Sequence, residues 1–322
     1  MNRLSFSLFL LLAFIWGASF TFIKVSLGGL TPSQLVLTRL VLGAAFLLIV
    51  ILFSRVRLPA FGLVWAHLVV TATLGMVAPF LLLAWGEQHT SAALAGVLIG
   101  AIPLITLTMA TAVLPTERAT VAKVVGLVVG FVGVVVVVSP WGTAGGTLGG
   151  RLAVLGAAAS YAAQTVYIRR VLSSRKIPPL ALATSQLIVG VVVQAVITPF
   201  TGWPAPSLTW PVAASIVLLG VVSTGAAYVI FFRLINDLGA TTASTVNYLV
   251  PVTAVLIGSV TLQEPITLEM VLGTSIVLLG LAVAERRVDL TRLRHLTRLR
   301  LRRVPVTAGP ADHAEAPASR RT

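Results

Sequence analysis

Two stretches decide how this chain is read: Leu114-Pro-Thr-Glu117-Arg-Ala-Thr-Val-Ala-Lys-Val-Val-Gly126 and Thr261-Leu-Gln-Glu264-Pro-Ile-Thr-Leu-Glu-Met-Val-Leu-Gly273. Each leaves an apolar run, crosses a polar break that holds one glutamate, and enters another apolar run. The glutamate-to-glycine spacing is nine in both, and a second glycine follows at sixteen (Gly133, Gly280). Working outward, Pro103 precedes its glutamate by fourteen residues and Pro251 by thirteen. Trp16 to Lys24 and Tyr161 to Arg169 are each eight apart. These pairs share an offset of 145 to 148 residues, so the chain reads as two copies of one unit.

What surrounds the breaks is oily. The 322 residues are 57% hydrophobic and 10% charged, with a mean hydropathy of +1.01. A soluble domain carries about 25% charged residues, so lipid is the solvent that suits this chain. Backbone groups in hydrocarbon must pair within their own segment, which favours helices, and the runs are continuous rather than alternating as barrel strands would be. Spans of about 20 apolar residues fall at 4–25, 33–53, 62–84, 91–114, 120–139, 149–169, 180–200, 211–232, 240–262 and 267–284. The first, from Leu4, lacks a small-residue cleavage pattern and reads as a membrane helix rather than a signal peptide.

Five spans per copy is an odd number, so the second copy must sit upside down, as in many secondary transporters. Basic residues set the orientation. With the N-terminus inside, the cytoplasmic side carries Arg3, Arg55, Arg57, Arg118, Lys123, Arg169, Arg170, Arg175, Lys176, Arg233 and the basic tail, and the other side only Lys24 and Arg151. Both termini are expected in the cytoplasm, and the arrangement is that of a multi-pass protein of a bacterial inner membrane. The net charge of +14 is thus accounted for by topology signals and by a tail with ten arginines against four acids.

The pattern Trp16-Gly17-Ala-Ser-Phe-Thr-Phe-Ile-Lys24, then Pro32 and Arg39, resembles the start of the EamA family of the drug/metabolite transporter (DMT) superfamily. The two proline-to-glutamate blocks, each with glycines at nine and sixteen, resemble that family's repeat endings. The resemblance covers about residues 5 to 284. It implies an all-α polytopic fold, ten transmembrane helices as two inverted five-helix repeats, and export of metabolites such as amino acids. The boundaries expected are residues 1–146 and 147–284 for the repeats and 285–322 for the tail. The second copy departs at the counterparts of Trp16, Lys24 and Arg39, which are Tyr161, Arg169 and Gln186, so the halves are unequal.

Candidate solute-binding residues are the polar and aromatic groups inside spans: Trp16, Arg39, Tyr161, Gln164, Gln186, Tyr228 and Asn247. An arginine within a span costs about 2.5–3.5 kcal/mol on insertion scales, so Arg39 either faces a cavity or snorkels to the headgroups. Buried amides, Gln194 among them, either bind solute or bridge helices. Aromatic walls with a few amides suit a small, partly apolar solute. Pro103 and Pro251 interrupt matching spans and are hinge candidates, against the alternative of static kinks. Gly126, Gly133, Gly273 and Gly280 read as helix-packing positions, and such small-residue faces permit a homodimer. Glu117 and Glu264 sit in loops before the fifth and tenth spans, where they complement helix ends. Glu87 and His89 flank an outer loop, as a proton-linked gate or as solvated loop residues; by this count no carboxylate lies in the middle of a span. Lys24 reads as an interfacial anchor, and Tyr248 and Trp85 as packing or interfacial residues.

Several classes are set aside. The absence of cysteine removes disulfides and thiolate sites, and the four histidines lack ligand spacing, so no cofactor or metal is expected. A membrane-embedded enzyme needs clustered acids or a nucleophile–base set within spans, which the sequence does not supply. The tail, with Leu290, Leu293, Leu296 and Leu299 among arginines, reads as an amphipathic helix on anionic lipid, not as a nucleic-acid binder, followed by a disordered end. The expected partners are therefore a small-molecule solute and the bilayer. The competing function is a non-transporting scaffold or sensor that works through the tail.

Overall fold

The computed structural model of the chain describes residues 3–115, 117, 119–139 and 146–284. The tail from residue 285, with its amphipathic segment and anionic-lipid contact, and Arg118 lie outside the described residues. The described part is a bundle of α1 (Arg3–Ser26), α2 (Pro32–Ser54), α3 (Leu63–Ala72), α4 (Ala78–His89), α5 (Ala92–Ile99), α6 (Ile102–Val113) and α7 (Val121–Val138). The second half holds α8 (Leu148–Tyr167), α9 (Pro179–Ile197), α10 (Trp210–Val217), α11 (Ala227–Leu238), α12 (Ala240–Ser244), α13 (Val250–Thr261) and α14 (Leu268–Ala284).

Local chemistry sets the helix ends. At the start of α2, Pro32 occupies the first turn and Thr31 and Gln34 form a reciprocal capping box, with Thr31 Oγ1 accepting from the Gln34 amide at 3.3 Å and Gln34 Oε1 from the Thr31 amide at 3.0 Å. Ser91, Thr120 and Thr147 cap α5, α7 and α8 one way only, each side chain accepting from the amide three residues on.

Two rods are longer than one span needs. A π-helical stretch, Thr73–Val77, joins α3 to α4, and another, Leu218–Ala226, joins α10 to α11. Eight described helical stretches are long and apolar enough to cross a membrane; α8 is not among them, and α14 is apolar but only 17 residues long. Large apolar side chains such as Phe53, Phe61, Val121, Phe200 and Trp210 point outward, as lipid-facing residues do.

One boundary changes, and the two interruptions expected at prolines become full breaks. The third apolar run does not end at residue 84: Trp85-Gly-Glu-Gln-His89 continues the helix, and the chain turns only at Thr90, where Ser91 starts the next cap. The fourth and ninth runs are not single helices. Each breaks just before its proline, at Gly100-Ala101 and at a 3-10 turn, Thr245–Tyr248, because proline lacks the amide that would bond the carbonyl four residues back.

The glycines of the opening stretches meet. α7 and α14 pack antiparallel along Gly126, Gly130 and Gly133 against Gly280 and Gly273. A Cβ on Gly133 would lie 2.6 Å from the Val277 amide nitrogen, and one on Gly280 would lie 2.6 Å from the Gly126 carbonyl. Backbone touches backbone there, which only glycine permits. These small-residue faces, read above as compatible with a homodimer, are filled within the chain.

Candidate functional site

A cavity of about 630 Å³ lies between the halves, walled by α1, α2, α4, α5, α6, α8, α11 with the π-helical stretch before it, α12, α13 with the turn before it, and α14. Trp16, Arg39, Tyr161, Gln164, Tyr228 and Asn247 all line it, and so does Pro103. Gln186 does not. It is buried on α9 away from the wall, and its Nε2 has no partner among the described residues. Pro251 sits behind the wall against Gly100. Gln194 bridges helices instead, its Nε2 donating to Ser33 Oγ at 2.7 Å and Thr198 Oγ1 at 3.2 Å.

The π-helical stretches shape the two long walls. In Leu218–Ala226 the widened turn lets Thr224 Oγ1 donate back to the Leu219 carbonyl at 2.9 Å, five residues earlier. That aims the hydroxyl lone pairs at Arg39, whose Nε donates to it at 2.9 Å. The guanidinium lies 3.7 Å above the Phe80 ring, a cation–π contact that replaces part of its hydration. Arg39 thus faces the cavity end instead of snorkelling. In the other half, Ser160 Oγ donates to the Leu74 carbonyl at 2.7 Å within Thr73–Val77. Next to it the Gln164 amide presses on Gly75, where any Cβ would collide with it.

Aromatic rings complete the wall. Trp16 packs on Phe231 at 5.4 Å, Tyr161 meets Phe80 edge-on at 6.5 Å, and Tyr228 stacks on Phe232 at 5.9 Å. Tyr248, read above as packing or interfacial, is on the wall. The Tyr161 hydroxyl and the Gln164 and Asn247 amides make no hydrogen bond to protein among the described residues, so they can serve a solute.

The two ends differ. Toward the face that carries Glu117, the wall residues Thr165, Arg169 and Ser244 are exposed, so the cavity opens there. Beside that mouth Glu117 pairs with Lys123 at 2.8 Å and Arg169 at 2.7 Å, and these hydrogen bonds hold its carboxyl below the ordinary carboxylate range. At the other end Ile23, Leu83, Arg39 and Thr224 are buried. Beyond them Lys24 Nζ donates to the carbonyls of Glu87 and, at 2.8 Å, Thr90, capping the end of α4. Lys24 is therefore a helix clasp more than a headgroup anchor. Glu264 takes the amides of Ala92 at 2.8 Å and Ala93 at 2.7 Å. It complements a helix end as expected, but the end of α5 rather than of the helix that follows it in sequence.

Sequence reasoning missed the state of Glu87. It is fully buried in α4, and neither carboxylate oxygen has a hydrogen-bond partner among the described residues. The solvated-loop alternative falls because the helix extends through it; the signal was the unbroken apolar run before Trp85. His89 is a surface group, its ring 4.4 Å from Trp85.

Comparison with known proteins matches this geometry to a lineage. The model of the EamA-like transporter family matches residues 3–139 and again 148–285, one match per half. An uncharacterized transporter of Archaeoglobus fulgidus is 30% identical over 275 residues, covering 84% of this chain and 95% of that protein. The uncharacterized transporter YoaV of Bacillus subtilis is 27% identical over 271 residues, covering 83% and 91%. A solved crystal structure of a 20% identical protein superposes with a TM-score of 0.62 over 94% of this chain and 100% of the other, a likeness of fold. The chain is a multi-pass membrane protein that belongs to the EamA-like transporter family, a transporter with its cavity between two copies of the family's unit.

Proposed function

We propose that the protein is a secondary transporter that exports small metabolites, amino acids or related compounds, by alternating access around this cavity. The reading rests on one observation above others: the candidate side chains of both halves converge on a cavity that is open at one end and closed at the other. Ten spans, in two inverted five-helix repeats, account for the pattern. Under that symmetry Gly126 and Gly273 are counterparts, as are Gly133 and Gly280, and the contacts pair Gly126 with Gly280 and Gly133 with Gly273, as a two-fold axis in the membrane plane requires. The π-helical stretches Thr73–Val77 and Leu218–Ala226 and the breaks before Pro103 and Pro251 are likewise counterparts. We place both termini and the open mouth in the cytoplasm of a cell with this protein in its inner membrane, from the distribution of arginine and lysine. Solute enters at Arg169, settles among Trp16, Tyr161, Gln164, Tyr228 and Asn247, and leaves when the Lys24 and Glu264 clasps part. Pro103 and Pro251 serve as the hinges.

The test is efflux from cells preloaded with labelled amino acids and related acids, comparing wild type with Trp16→Ala and Asn247→Ala at matched membrane levels. Accelerated efflux that drops about tenfold or more in both variants supports the reading, the loss expected when about 1.4 kcal/mol of contact is removed. Efflux at wild-type rates from both variants sinks the central site.

A further inference from the structure

The charges on the cavity wall are of one sign. Arg39 and Arg169 line it, and among the described residues no aspartate or glutamate does. Arg169 is spoken for by Glu117 at the mouth. Arg39, at the closed end, has no ion pair among the described residues. Its Nε is engaged by Thr224 and its plane by Phe80, which fixes the guanidinium in orientation. Both terminal nitrogens remain without a protein hydrogen bond among the described residues, and neither is sealed from the cavity. Glu87 stands one helical turn behind the wall residue Leu83 and is itself off the wall.

A planar, oriented fork with two free N–H edges matches a carboxylate in bidentate fashion. An unpaired cation inside the membrane is costly, and a bound anion removes that cost. The Tyr161 hydroxyl, on the same wall with its ring against Phe80, adds a donor to the cavity. Among the described wall residues an ammonium group finds neutral oxygens, those of the Gln164 and Asn247 amides and the hydroxyls, and aromatic faces, while Arg39, the cation left without an ion pair, repels it. We propose that the carboxylate is the group this cavity recognises, that Arg39 is its anchor with the apolar body lying among Trp16, Phe80 and Tyr228, and that an amine on the solute is dispensable. The proposal rests on the cavity being the transport site, and it narrows the solute to organic carboxylates of net negative or zero charge.

Three probes that share one phenylethyl body separate the charges: 3-phenylpropionate, which has only the carboxylate, phenylalanine, which has both groups, and phenethylamine, which has only the amine. Binding of each to the purified full-length protein is read by thermal shift and calorimetry, and flux of each in proteoliposomes. The carboxylate is expected to bind at least as tightly as phenylalanine and on the order of tenfold to a hundredfold tighter than the amine, the range that charge-assisted bonds supply. Arg39→Gln should erase that ranking, and Arg39→Lys, a charge without the fork, should keep the sign and lose part of the margin. If Arg39→Gln does not fold, the ranking in wild type decides. Phenethylamine binding as tightly as 3-phenylpropionate, no binding by any probe, or a ranking that survives Arg39→Gln overturns the proposal. Binding of the carboxylate without flux keeps the anion site and sinks the transport reading; flux of the amine alone does the reverse.

Discussion

Single side chains here are read by the partners they have or lack. Arg39 was legible from sequence as a charge inside a span, but two destinations were open to it, the headgroups and a cavity. Thr224, 185 residues away, chooses the second. Glu117 differs in having two ionic partners, one nearby at Lys123 and one across the repeats at Arg169. Its carboxyl is held low by Lys123 and then Arg169, so the folded form favours the ionised state. A depressed carboxyl stabilises the fold above the ordinary carboxylate range and loses that contribution as pH falls through its folded value. We expect wild type to exceed Glu117→Gln in thermal stability at neutral pH by less than about 1 kcal/mol, since the pairs are partly exposed. The margin should vanish below the ordinary carboxylate range. An equal margin at acid pH would show that the carboxylate charge is not its source.

Elements obey what their backbones allow. The breaks before Pro103 and Pro251 were legible, because proline announces the missing hydrogen bond. The π-helical stretches were not, since Thr73–Val77 and Leu218–Ala226 contain no residue that forces a widened turn. They are fixed by what presses on them, Ser160 and Gln164 on one and Arg39 on the other. The glycine rows on α7 and α14 were visible by spacing, yet only the packed pair shows that they face each other. Gly280→Ala places a Cβ 2.6 Å from the Gly126 carbonyl, against backbone that cannot yield without parting the helices. A loss of about 1–3 kcal/mol in unfolding free energy is expected, the scale of overpacking. Gly156→Ala, whose nearest neighbour would be a Leu82 methyl at 3.5 Å, is the control and should cost little. Equal losses at the two positions would mean that the α7–α14 contact is not their source, since helix propensity by itself favours alanine over glycine.

At the scale of the whole molecule the question is whether the membrane part acts alone. Truncation after Ala284 removes the basic tail and leaves every described cavity residue in place. Flux in the truncated protein at no less than about half the wild-type rate is expected for a transporter, a change too small to reflect a lost contact. Abolished flux at normal membrane levels would favour the scaffold or sensor role. If the ten proposed crossings hold, tags at the two termini should be digested from the same face of sealed vesicles, and digestion from opposite faces sinks that topology. The sequence by itself determined the helical membrane class, the duplication and the family, because apolar run lengths and recurring breaks are local properties that lipid constrains directly. Only the tertiary structure decided that Gln186 stays off the wall, that Glu87 is buried, and that Glu264 caps a helix 172 residues away. Those outcomes depend on which helix faces turn toward each other, and facing is set by packing between segments far apart in the chain.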